Sequence, residues 1–126
     1  MTKDLPEAVK KGDLAQVKRL VEGGADVRAR DDQGYTPMHW AAIRGCLDTL
    51  QHFVEKKGAD LVHLTDNDGG TPLYSACRFG RLACAKYLMS VGADPEAKND
   101  HGNTPMHIAA EYGHLDILEH FVDADV

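Results

Sequence analysis

The chain has 126 residues, of which 43% are hydrophobic and 27% charged, and its formal net charge is −6. This size and balance are typical of one globular domain, and an acidic chain is a poor fit to a nucleic-acid partner. The longest nearly apolar stretch, residues 38–43, is far shorter than the roughly 20 residues of a transmembrane helix, so we expect no membrane insertion.

Two short helices are predicted in residues 1–31, with Gly12 between them. The second helix has one apolar face, formed by Leu14, Val17, Leu20 and Val21. These positions are offset by three, six and seven residues, which matches the α-helical period. The first helix carries several charged residues and lacks the motif that opens the later units. We expect it to cover the N-terminal end of the domain with polar surface.

Each of the next three units opens with Thr-Pro, at Thr36, Thr71 and Thr104. A threonine can cap a helix, and proline is favoured in the first helical turn. A glycine follows nine residues after each threonine and is predicted to end the helix, because glycine tolerates the left-handed conformation. A second helix then repeats the apolar spacing of the first unit. A polar stretch, rich in turn-forming residues, leads to the next Thr-Pro.

These markers recur with a period close to 34 residues. The Thr-Pro steps are 35 and 33 residues, and both steps between the three Gly-Ala-Asp motifs are 34. The second unit carries two single-residue insertions, in residues 55–57 and 61–64. Helices this short are marginal alone, so neighbouring units must stack. The sequence therefore predicts an all-α solenoid in one domain, residues 1–126, with repeats at about 1–31, 32–65, 66–98 and 99–126.

Residues 34–42, Gly-Tyr-Thr-Pro-Met-His-Trp-Ala-Ala, and residues 102–110, Gly-Asn-Thr-Pro-Met-His-Ile-Ala-Ala, resemble the ankyrin-repeat signature. Residues 69–77 form a looser copy, with Tyr74 at the histidine position and Cys77 at the second alanine. The resemblance covers essentially the whole chain. It implies helix–turn–helix units joined by β-hairpin-like loops, and recognition of proteins through the loop tips and inner helices. It also implies hydrogen-bonding roles for His39 and His107.

The predicted binding surface is a concave groove between the loop tips and the inner helices of repeats 2–4. The family resemblance and the helical register place the candidate binding residues on this groove. Their chemistry then ranks them, because aromatic and Arg side chains are enriched at interface hot spots. The candidates are Tyr35, Trp40, Ile43, Arg44, Arg78, Phe79, His101, Asn103, Glu111 and Tyr112. For Trp40, packing in the core and anchoring a partner in the groove are left as equal alternatives.

No catalytic, cofactor or metal site is predicted. The three cysteines show no CxxC spacing, which argues against a disulfide framework and fits a reducing compartment, the cytoplasm or nucleus. The leading hypothesis is a monomeric, non-catalytic module that binds a protein partner and acts as a scaffold or as an inhibitor by occupancy.

The alternative is an ankyrin segment of a larger protein with a structural or targeting role. The last predicted helix lacks a Gly-Ala-Asp closure, and we expect Ile117 and Val122 to face solvent or a missing neighbour.

Overall fold

The computed structural model describes residues 4–124, which contain eight α-helices and one 3-10 helix and no β-strand. The inner helices are α1 (Asp4–Lys11), α3 (Pro37–Arg44), α5 (Pro72–Arg78) and α7 (Pro105–Glu111). The outer helices are α2 (Leu14–Glu22), α4 (Leu47–Lys57), α6 (Leu82–Ser90) and α8 (Leu115–Ala124). The 3-10 helix spans Ala59–His63. The prediction of an all-α repeat solenoid is confirmed.

The Thr-Pro motif starts each of the inner helices α3, α5 and α7. The hydroxyl oxygens of Thr36, Thr71 and Thr104 accept hydrogen bonds from backbone N–H groups three residues later, at 3.4, 3.3 and 3.2 Å. The proline occupies the first turn, where its missing N–H leaves no intrahelical bond unmade. Gly45 then ends α3 in the left-handed conformation, with φ of 75°.

The helices form two layers with one continuous apolar core between them. Neighbouring inner helices pack side by side, and each outer helix packs against the inner helix of its own repeat and against the adjacent outer helices. The fully buried residues come from both layers and include Met38, Leu50, Phe53, Leu73, Leu88 and Ile117. The expectation that Ile117 faces solvent is therefore wrong. The neighbouring helices α6 and α7 shield its face of α8.

The loops between repeats are tight turns closed by side-chain caps. The carboxylate of Asp31 accepts the backbone N–H groups of Gln33 and Tyr35, at 3.0 and 2.9 Å. Asp66 and Asn99 repeat this arrangement in the next two loops. In each loop the first residue also donates its N–H to a carbonyl four residues later. The predicted repeat boundaries fall inside these connecting segments.

Of the two insertions in the second repeat, the one in residues 55–57 lies in α4, and the one in residues 61–64 lies mostly in the 3-10 helix rather than in a polar loop. Leu61 and Val62 are buried, because this short helix packs against α4 and α5. On the surface, an exposed ion pair joins Arg28, in the segment between α2 and α3, to Asp60 of the 3-10 helix, with a nitrogen–oxygen distance of 2.6 Å. The added residues therefore extend the core instead of only lengthening a turn.

Candidate functional site

The loop tips form a row because backbone hydrogen bonds join each loop to the next. The backbone N–H of Asn67 donates to the carbonyl of Gln33 at 2.9 Å, and that of Asp100 donates to Asp68 at 2.8 Å. A glycine permits this close approach, since a Cβ on Gly34 would lie 2.6 Å from the backbone nitrogen of Asn67. These contacts fix the positions of the loops that form one side of the groove.

His39 joins two repeats from inside the fold. Its Nδ1 accepts from the N–H of Thr36 at 3.2 Å, and its Nε2–H donates to the carbonyl of Gly70 in the next loop at 2.9 Å. Burial lowers the pKa of this imidazole, and the hydrogen bond to Gly70 opposes that shift. Its role is structural, as the family resemblance implies, and the side chain is closed off from the groove.

Trp40 is held at the N-terminal part of the groove by three different contacts. Its indole Nε1–H donates to a carboxylate oxygen of Asp31 at 2.9 Å. The ring of Tyr35 meets it edge-on at 5.4 Å between centroids, and the Lys10 ammonium lies 4.4 Å from the ring centroid. Trp40 is half-buried and packs against the core. The alternative of packing in the core therefore describes part of the Trp40 surface, and its role as a partner anchor stays a prediction.

The C-terminal part of the groove presents a more open group of side chains, which we call the Arg78 cluster: Arg78, Phe79 and Tyr112. The guanidinium carbon of Arg78 lies 5.4 Å from the Phe79 ring centroid and 5.8 Å from that of Tyr112. Phe79 is 43% exposed and Tyr112 is 48% exposed. Within residues 4–124, no carboxylate lies within ion-pairing distance of Arg78. The two rings therefore flank the guanidinium of an exposed arginine.

Between the loops and α5 lies a shallow cavity of about 180 Å³. It brings together five of the sequence-predicted residues: Tyr35, Arg78, Phe79, His101 and Asn103. Arg78 and Phe79 also line an adjacent depression that reaches Tyr112 and His114. Six of the ten candidates therefore share one continuous surface.

Tyr74, Ser75 and Asp66 also line the cavity, and sequence reasoning did not select them. The sequence did mark Tyr74 as unusual, because it replaces the histidine of the signature and so cannot repeat the contact of His39. For Ser75 and Asp66 the sequence contains no sign of a binding role beyond their position in the repeat. Asp66 reaches the cavity because its carboxylate caps its own loop.

The cavity carries charges of both signs. Burial raises the pKa of the Tyr35 hydroxyl; Asp66 raises it further, whereas Arg78 lowers it. Burial also raises the pKa of Tyr74, and Arg78 again acts in the opposite direction. Both phenols are therefore neutral at physiological pH, and each can donate a hydrogen bond to a bound group.

The prediction that Ile43 faces the groove is wrong. Its exposed fraction is only 8%, because α3 lies between α1 and α5 and both neighbouring helices shield a side chain of this size. Arg44 and Glu111 are exposed, as expected, but neither lines the cavity. These two residues flank the site rather than form it.

The described residues offer little for metal or thiol chemistry. Nowhere in residues 4–124 do three His, Cys, Asp or Glu side chains approach closely enough to hold a metal ion. Burial raises the pKa of Cys77 to about 12 and that of Cys84 to about 11, so both thiols stay protonated at neutral pH. In the same part of the chain, no helix has both the length and the apolar character needed to cross a membrane.

Proteins of known sequence share this repeat pattern. The chain is 38% identical over 105 residues to "Palmitoyltransferase Hip14" of Drosophila melanogaster. The aligned region covers 83% of this chain and 16% of that protein. It is 34% identical over 119 residues to "Putative palmitoyltransferase ZDHHC13" of Danio rerio, covering 94% and 18%. It is 37% identical over 101 residues to human "Palmitoyltransferase ZDHHC17", covering 80% and 16%. The matched region is thus less than a fifth of each relative.

A protein-family comparison agrees with the helix caps, the stacked loops and the period. The model described as "Ankyrin repeats (3 copies)" matches residues 5–99 and again residues 62–126. The two matches together span nearly all of the solenoid, including the repeats that form the groove. The chain therefore belongs to the ankyrin-repeat family.

Proposed function

We propose that this chain is an ankyrin-repeat segment of a larger protein and that it binds a protein partner through the groove of repeats 2–4. The binding proposal is carried by the Arg78 cluster, in which two exposed aromatic rings flank a guanidinium that has no ionic partner among residues 4–124. Arg and aromatic residues supply much of the energy at protein interfaces. A bound chain would cover both rings and bring polar groups to the guanidinium.

The proposal of a larger protein is supported by the comparisons. This chain spans only 16% to 18% of the length of the relatives named above. A full-length transcript that contains these 126 codons is expected to continue the reading frame into further coding sequence. A transcript that encodes these residues alone would contradict this part of the proposal.

Within that protein, we propose that the segment itself is not catalytic. The buried thiols of Cys77 and Cys84 are poor nucleophiles because their pKa values are raised far above neutral pH. The segment would then act by occupancy, as a scaffold or as an inhibitor. A cytoplasmic or nuclear location, expected from the cysteine pattern, and a monomeric state belong to the same proposal.

The binding proposal is tested with three baits in pull-downs from a lysate of the source cell, read by mass spectrometry. One bait is the wild-type chain. The second carries Arg78→Ala, Phe79→Ala and Tyr112→Ala. The third is a matched control, with Glu55→Ala, Lys56→Ala and Lys86→Ala at exposed positions of the outer helices. Circular dichroism of each bait checks that the helices are intact.

A groove partner is expected on the wild-type and control baits, with retention reduced about tenfold or more on the Arg78 cluster variant. This magnitude follows if the three truncations together cost more than about 1.4 kcal/mol, which is modest for hot-spot residues. A partner retained equally by all three baits would move the binding site away from the groove. Loss on the control bait alone would place it on the outer helices.

A further inference from the structure

The face of repeat 4 that points away from repeat 3 exposes apolar side chains whose equivalents in the other repeats are buried or half-buried. We call it the open face: Met106, Ala110, Leu115 and Val122. Met106 is 38% exposed, Leu115 67% and Val122 61%. At the position of Met106, the earlier repeats bury Met38 and Leu73 completely, and at that of Ala110 they bury Ala42 and Cys77.

The glycines show the same contrast. A Cβ on Gly69 would lie 3.1 Å from the backbone nitrogen of Asp100 in the next loop, but one on Gly102 would meet nothing within 4 Å. A Cβ on Gly80 would lie 2.8 Å from the His114 ring, but one on Gly113 would also meet open space. In repeats 2 and 3 the glycines at these two positions are in close contact with the following repeat. On repeat 4 none of the residues that the structure describes occupies the space beside them.

The hydrogen bonds between repeats have matching positions on the open face. Arg81 donates from Nε to the carbonyl of Ile43 at 3.0 Å, and His114 donates from Nε2 to that of Arg78 at 2.8 Å. The corresponding carbonyl in repeat 4 is that of Glu111. The carbonyl of His101 corresponds to that of Asp68, which accepts from the N–H of Asp100 at 2.8 Å.

His107 completes the pattern. Its Nδ1 accepts from the N–H of Thr104 at 3.0 Å, so the helix cap is the same as that of His39. Its imidazole is exposed, and none of the described residues supplies a carbonyl in the position that Gly70 holds for His39. The apolar contacts, glycine clearances and hydrogen-bonding positions all have the spacing of an inter-repeat interface.

We infer that the open face is one half of an inter-repeat interface and that its occupant is a further ankyrin repeat of the same polypeptide. The occupant places a loop residue with a free N–H against His101, a polar donor against the carbonyl of Glu111 and a carbonyl against His107. A second copy of this chain is a poorer occupant. The exposed residues described on its first helix are Glu7 and Lys11, which offer charge to an apolar face.

This inference rests on the larger-protein part of the proposed function, but not on binding in the groove. Its test uses substitutions outside the Arg78 cluster, so the two can fail separately. The probe is an extended chain in which a copy of residues 94–126 follows Val126 directly and keeps the 33-residue register. That copy brings its own Asp100 and His114, the donors of the interface between repeats 3 and 4.

Thermal unfolding is followed by circular dichroism for both chain lengths. The extended chain is expected to melt about 5–10 °C higher, because stability in repeat arrays grows with each added interface. Ala110→Glu is expected to change the Tm of the 126-residue chain by less than about 2 °C, since the site is exposed. The same substitution in the original repeat 4 of the extended chain is expected to remove most of the gain, because it buries a charge.

Ala83→Glu is the matched control, because Ala83 is an exposed alanine on α6. It is expected to leave the Tm of both chains unchanged. An extended chain with no gain in Tm, or one in which Ala110→Glu acts no more strongly than in the parent, would overturn the inference. Sedimentation velocity provides a second readout. A concentration-dependent dimer of the 126-residue chain that Ala110→Glu abolishes would make a second copy the occupant and would also overturn it.

Discussion

Repeats 2 and 4 contain the same six residues, Thr-Pro-Met-His followed two positions later by Ala-Ala, and yet they have different surroundings. Both threonines cap their helices, and both histidines complete a capping box. Met38 and His39 are nevertheless fully buried, whereas Met106 and His107 are exposed. The motif therefore determines how the helix begins, and the neighbouring repeat determines whether the motif contributes to the core.

The largest expected difference between the two repeats is at their methionines. Met38→Ala should lower the free energy of unfolding by about 2–5 kcal/mol, because it opens a cavity in a packed core. Met106→Ala should cost less than about 1 kcal/mol, because part of that side chain is already in water. Urea unfolding of the two variants measures both values. Equal losses would show that repeat 4 is packed as tightly as repeat 2.

A smaller difference is expected at the loop glycines. Gly34 and Gly102 have φ values of 80° and 79°, so alanine at either position carries the same left-handed strain of about 1–2 kcal/mol. Gly34→Ala also drives a methyl group against the backbone of Asn67, which should add about 1–3 kcal/mol. The free energies of unfolding of the two variants isolate this added term. If Gly102→Ala and Gly34→Ala lower the free energy of unfolding equally, a Cβ at position 102 must also meet a neighbour, which would contradict the open space beside Gly102.

The smallest effect concerns pH. Burial lowers the pKa of His39 below its usual 6.5, so the unfolded chain takes up a proton before the folded protein does. Stability should therefore fall as the pH drops below about 6.5, by at most about 1.4 kcal/mol per pH unit from this group. His39→Gln should flatten that slope, and His107→Gln, at an exposed site, serves as the control. Burial also lowers the pKa of His52, so part of the slope should remain.

Urea titrations between pH 5 and pH 7.5 give the slope for each variant. Because His39→Gln also alters a hydrogen bond, the comparison uses the change in stability with pH rather than its absolute value. If His39→Gln and His107→Gln keep the same pH dependence, His39 is not the group that links acid to unfolding.

The helices could be predicted from the sequence because their signals are local. A capping threonine, a proline in the first turn and a terminal glycine act within a few residues, and α3, α5 and α7 begin where these signals place them. The 3-10 helix was not predicted. Leu61 and Val62 form it by packing against α4 and α5, and such contacts have no local sequence signal.

The groove was predicted less completely than the helices. The exposure of Arg78, Phe79 and Tyr112 follows from their place just before the helix-ending glycines. Ile43 occupies the position in α3 that Arg78 occupies in α5, but two flanking helices bury its short apolar side chain. Helical register gives the direction of a side chain, but its exposure also depends on its length and on its neighbours.

The sequence by itself determined the period, the starts of α3, α5 and α7 and the ankyrin family, because each rests on short-range backbone chemistry that recurs in repeats 2–4. Only the tertiary structure decided which copies of that chemistry are buried. His39 reaches Gly70 because a repeat stacks on α3, and Trp40 meets Lys10 because α1 lies beside it. Each of these two contacts joins residues about 30 positions apart in the sequence. An identical motif can therefore lie in the core in repeat 2 and on the surface in repeat 4.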